Sequence, residues 1–240
     1  MNSTKGSPRG INRKTAIIVG VLYIVGTIAG ILSLVFTGSI LSDPNYLIRV
    51  SENQNQILLG VLLVLAMGFS LAMMSVVLFP ILKKQNEALA FGAVVFRGML
   101  EAVLYIAVAI SWLLLLTISQ EYVKAGVPDA SHFQTVGALL LKATDRIGSI
   151  LDIVFSLGAL MIYCLFYQSK LIPRWLSVWG IIGAILYLAS GLFSMFSVDF
   201  GILEAPLALQ EMVMAVWLIV KGFNLSSVNL GSVEVAMSQV

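Results

Sequence analysis

Arg97 and Glu101 stand one helical turn apart inside an otherwise apolar run, a spacing that puts both side chains on one helix face and lets them pair. Two more acids interrupt other apolar runs. Asp152 belongs to a polar stripe of Lys142, Asp145, Arg146, Ser149, Asp152 and Ser156 at steps of three or four, and Glu211 lies seven residues after Glu204, hence on the same face. At 1.5 Å of rise per residue, Glu101 falls roughly 18 Å into its run and Glu211 roughly 15 Å before Lys221. A charge at the middle of a bilayer costs about 2.5 to 3.5 kcal/mol even on the gentler insertion scale, so such a side chain faces the interior of a bundle and finds a partner, a water or a proton. The chemistry within reach is therefore proton exchange, or recognition of a small solute by carboxylates. Arg97, Glu101, Asp152 and Glu211 are the candidate ligand-binding or proton-linked residues, with Asp145, Arg146 and Glu204 as secondary candidates.

The elements that must carry these residues are six apolar stretches of membrane-spanning length, roughly 16–36, 57–82, 89–118, 136–167, 176–196 and 203–223, each near the 20 residues a helix needs to cross the hydrocarbon. Their continuous apolar character rules out β-barrel strands, which alternate. An apolar content of 59% with 11% charged residues and a mean hydropathy of +0.99 leaves no material for a soluble domain. The expected fold is an all-α polytopic bundle of six transmembrane helices over residues 15–223. It is flanked by a basic tail over 1–14 and a mobile tail over 224–240.

Lys5, Arg9, Arg13, Lys14, Lys83, Lys84, Lys170, Arg174 and Lys221 fall on one side of this topology, against Arg49 and Lys124 on the other. The bias toward basic residues on the cytoplasmic side places both termini there, in a multi-pass cell-membrane protein. The first outer connection holds the turn cluster Ser42-Asp43-Pro44-Asn45. Gly26 and Gly30 in the first run, and Gly180, Gly183, Ala184 and Gly191 in the fifth, form small-residue faces that pack helices closely, within the subunit or across a homodimer.

Several chemistries lack their residues. One histidine, His132, placed in an outer loop, leaves no paired haem ligands, no iron site rich in histidine and no zinc helix with two histidines. The single cysteine, Cys164, forms no internal disulfide. No glycine loop for a nucleotide and no basic patch for nucleic acid is present. No cofactor, metal or catalytic residue is assigned; the expected partners are the lipid bilayer and an unidentified small molecule.

Four motifs occur in order: basic residues opening a Gly-rich first run; Phe96-Arg97 with Glu101-Ala102; Pro173-Arg174-Trp175-Leu176-Ser177; and Glu211 followed by Trp217-Leu218-Ile219-Val220-Lys221-Gly222-Phe223. Together they resemble the bacterial and archaeal membrane family catalogued as domain of unknown function 4386, over about residues 13–223. The resemblance implies a six-span protein of the cytoplasmic membrane, singles out Arg97, Glu101 and Glu211, and supplies no activity. Two functional readings stay open: a small-solute or proton-linked binding and transport bundle using buried carboxylates, or an accessory, sensory or lipid-interacting protein whose buried charges are structural pairs.

Overall fold

A computed structural model describes residues 8–125 and 130–224. The six expected runs are six helices long and apolar enough to cross a membrane, so the chain is a multi-pass, all-α membrane bundle. They are α1 (Pro8–Leu41), α3 (Gln54–Leu82), a composite third span (Glu87–Ala125), α6 (Ala130–Ser169), α7 (Arg174–Met195) and a sixth span (Gly201–Val220) in which a 3-10 turn (Gly201–Glu204) leads into α8 (Ala205–Val220). The composite span is α4 (Glu87–Ala93), a π-helical stretch (Val94–Leu100) and α5 (Glu101–Ala125). A short α2 (Tyr46–Glu52), not expected from the sequence, occupies the first connection and buries Leu47 and Val50. Helix α1 begins at Pro8, within the stretch read as a tail, whereas residues 225–240 lie outside the described residues.

Local chemistry sets the boundaries. Asp43 Oδ1 accepts from the Asn45 amide at 2.7 Å, closing the expected turn. Asn86 caps α4 by accepting from the Leu89 amide at 3.0 Å, Pro173 stands at the N-cap of α7, and Pro206 lies in the first turn of α8. Helix α8 stops where Gly222, at a φ of 75°, donates back to Trp217 O and Leu218 O, a left-handed conformation that glycine adopts without penalty.

Successive spans run antiparallel and close into a ring, in which each span packs on the next and α8 returns to α1. Such packing in lipid cannot rest on hydrophobic contrast, since the outer surface is as apolar as the interior: Leu34, Leu62, Leu139, Ile182 and Val220 are all exposed. Close approach and inward polar groups take its place. A Cβ built on Gly26 would lie 3.0 Å from Leu71, one on Gly180 2.5 Å from Tyr163, and one on Gly183 3.0 Å from the Leu207 Cα. These small-residue faces are therefore spent on contacts inside the subunit. Ser33 Oγ donates to Gly60 O at 3.0 Å and Gln210 Nε2 to Leu176 O at 3.0 Å, tying α1 to α3 and α8 to α7.

Candidate functional site

The third span carries the deepest charges because its helix changes pitch there. The Glu101 amide bonds to Phe96 O, five residues back, and this π stretch holds Arg97 on the inner face with Glu101 one turn further on. Helix α6 can approach this wide turn because Gly158 has no side chain: a Cβ on it would lie 2.7 Å from the Arg97 amide nitrogen. Arg97 and Glu101 are each 1% exposed. Arg97 Nη1 donates to both Glu101 oxygens at 3.0 Å, and Nη2 donates to Glu211 Oε1 at 2.8 Å. The guanidinium carbon sits 4.0 Å from the Phe155 ring centroid and 5.9 Å from that of Tyr23.

One guanidinium thus faces two carboxylates, from its own span and from α8. The two carboxylates offset the cost of burying the guanidinium, and the Glu211 contact ties α8 to the third span. Arg97 Nε is the one guanidinium nitrogen left without a hydrogen-bond partner.

Beside this triad, a cavity of about 490 Å³ opens between the helices, and every span contributes to its wall: Gly30, Met67, Trp112, Asp152, Tyr187 and Glu211 come from the first to the sixth in turn. Trp112 is 6% exposed and its indole Nε1 has no hydrogen-bond partner. Asp152 stands where this chamber meets a second, polar cavity of about 830 Å³, whose wall includes Lys142, Asp145, Arg146 and Asp199. Thr144, Gly148 and Asp152 line both, so the chamber and this vestibule adjoin along one stretch of α6. Tyr187 hydrogen-bonds the Asp152 side chain, and Glu204 adds a like charge within its reach. Among the described residues no basic side chain forms a salt bridge with Asp152.

The seven sequence candidates therefore divide. Arg97, Glu101 and Glu211 converge; Asp152 faces the same chamber without joining their pairing. Arg146 does not neutralise Asp152. It donates to Met195 O at 2.7 Å and Ser197 Oγ at 3.1 Å, satisfying the carbonyl end of α7. Asp145 is exposed on the vestibule wall, and Glu204 accepts from Ser190 Oγ at 2.9 Å. His132 is exposed in the first turn of α6 rather than in a loop, because the helix starts earlier than the apolar run alone indicates.

Sequence reasoning passed over the aromatic walls. Tyr105 and Trp112 follow Glu101 at four and eleven residues, and Phe155 follows Asp152 at three, so both groups continue the faces of the charged residues. That stripe is the signal that was available. Tyr187 has none, since it joins Phe155, at 4.7 Å between ring centroids, only through the packing of α7 on α6.

Comparison with curated proteins and with solved structures returns no match. A family model does match, over residues 18–222, which takes in all six spans and every residue of the triad and chamber named above. The chain accordingly belongs to the family described as Domain of unknown function (DUF4386).

Proposed function

We propose that the chain is a small-solute binding and transport bundle of the cytoplasmic membrane, with the central chamber as its binding site and Asp152 as its working, proton-linked acid. The observation that carries this reading is a single cavity built from all six spans with a carboxylate at its mouth that lacks a basic partner. At about 490 Å³ the chamber is in the size range of small-molecule sites, and its apolar wall with few polar groups has their usual composition. The bias of basic residues supports an orientation with both termini in the cytoplasm, and in that orientation the vestibule beside Asp199 faces the outside.

The accessory reading keeps one specific observation in its favour, the closed pairing of Arg97 with both Glu101 and Glu211. These residues are assigned the structural role of fixing helix register, and Asp152 the functional one.

Gly148 provides the test, because it lines both cavities and a Cβ built on it meets nothing within 4 Å. Gly148→Leu should put an apolar side chain into the space where the chamber and vestibule adjoin and obstruct it, while leaving the bundle folded. A panel of small solutes is screened by thermal unfolding of the protein in lipid nanodiscs. A solute present at about 100 times its Kd stabilises the native state by about 2.7 kcal/mol. Such a solute should raise the Tm of the wild type and not of Gly148→Leu, and should be taken up by proteoliposomes of the wild type alone. An undiminished shift in Gly148→Leu would remove the chamber as the site.

A further inference from the structure

The charges around the chamber do not balance. On its wall the guanidinium of Arg97 already holds two carboxylates, a further acid, Asp152, lines the chamber without a salt bridge among the described residues, and the charge of Glu204 acts on Asp152 from outside the lining. The basic residues of the vestibule do not redress this. Arg146 is engaged by Met195 O and Ser197 Oγ, and Lys142 lies ten residues before Asp152 on α6, about 15 Å further out. Among the described residues that line the chamber itself, an anionic ligand would meet carboxylates and, in Arg97, only a cation that already holds two of them. A bare metal ion is equally ill served, because no group of three or more His, Cys, Asp or Glu side chains among the described residues is placed to hold one.

We infer that the occupant of the chamber is a monovalent organic cation: an ammonium head seated against Asp152 and an apolar body lying along the aromatic wall of Phe155, Tyr187 and Tyr105. The inference rests on the chamber being the binding site. An ammonium group supplies the opposite charge that Asp152 lacks and gains from aromatic faces when desolvated. Phe155 already serves one cation in this way, with Arg97 at 4.0 Å from its ring centroid. The volume suits a molecule rather than an ion, being room for roughly 16 waters at about 30 Å³ each.

The same ammonium chemistry has two sources, a lipophilic amine from water or the headgroup of an aminophospholipid. The test uses a phenylalkyl trimethylammonium ion and its uncharged tert-butyl isostere, whose binding to nanodisc-embedded protein is measured by equilibrium dialysis and corrected with empty discs. The wild type should bind the cation roughly tenfold or more tighter than the isostere, as expected for one charge-assisted contact. Asp152→Asn should erase that difference, Asp152→Glu should keep most of it, and Gly148→Leu should weaken both compounds. Adding phosphatidylethanolamine to discs of phosphatidylglycerol should lower the apparent affinity of the cation if the lipid headgroup is the natural occupant. It should leave the affinity unchanged if the amine comes from water.

Equal binding of cation and isostere to the wild type, or cation binding untouched by Asp152→Asn, overturns the inference. If Gly148→Leu still blocks both compounds in that case, the chamber survives as a site for neutral solutes. If Gly148→Leu blocks neither, the chamber is not the site and the proposed function falls with the inference.

Discussion

Removing Arg97 should damage the protein far more than removing either of its acids, because the triad holds one more carboxylate than guanidinium. In Glu211→Gln the remaining Arg97 and Glu101 form a neutral pair with both 3.0 Å bonds intact, and the glutamine oxygen can still accept from Nη2. What is lost is the difference between a charge-assisted and a neutral hydrogen bond, about 1 kcal/mol. In Arg97→Met two carboxylates are left facing each other in a site 1% exposed at Glu101 and 8% at Glu211. Stranding buried charge in this way costs about 3 to 5 kcal/mol. The triple variant Arg97→Met with Glu101→Gln and Glu211→Gln removes every charge and should recover most of that loss, since a neutral replacement of a buried ion cluster is often tolerated. Equilibrium unfolding in mixed micelles of increasing sodium dodecyl sulfate, followed by circular dichroism, ranks the variants. A cost for Glu211→Gln as large as that for Arg97→Met, or a triple variant no better than Arg97→Met, would refute the reasoning.

Gly158→Ala should destabilise by about 1 to 3 kcal/mol, because its Cβ would come within 2.8 Å of the Arg97 Cβ as well as 2.7 Å of the amide nitrogen. Gly148→Ala, with open space around it, should instead be neutral or gain about 0.4 to 1 kcal/mol in the same unfolding assay. Asn86→Ala removes the side-chain cap of α4 and should cost about 1 kcal/mol, whereas Asn86→Asp should retain most of the cap. With Cys164 replaced by alanine, a single cysteine at Lys124 should react with a membrane-impermeant maleimide in intact cells and one at Lys83 only after lysis. The reverse pattern would invert the assigned orientation.

The sequence alone determined the number of spans, their class and the face shared by Arg97 and Glu101. Each of these depends on residues close in the chain: a run of apolar residues long enough to cross lipid must become a helix, and a helix brings residues four apart together. The same locality explains the turn at Asp43 and the start of α7 after Pro173. The early start of α6, the π stretch at Val94–Leu100 and the short α2 were not legible in the same way. Apolar content measures affinity for lipid, and it registers neither the polar turns that extend a helix beyond the bilayer nor a change of helical pitch.

Only the tertiary structure decided what each charge does. Glu211 finds Arg97 across 114 residues, and Arg146 is taken by the end of α7 instead of by Asp152. That Asp152 lines a chamber and forms no salt bridge among the described residues follows from where six helices leave space between them. In a chain whose surface and core are equally apolar, hydropathy cannot say which helix face turns inward. That choice falls to steric fit at Gly158 and Gly180 and to the pairing of the few polar groups, both of which exist only once the ring has closed.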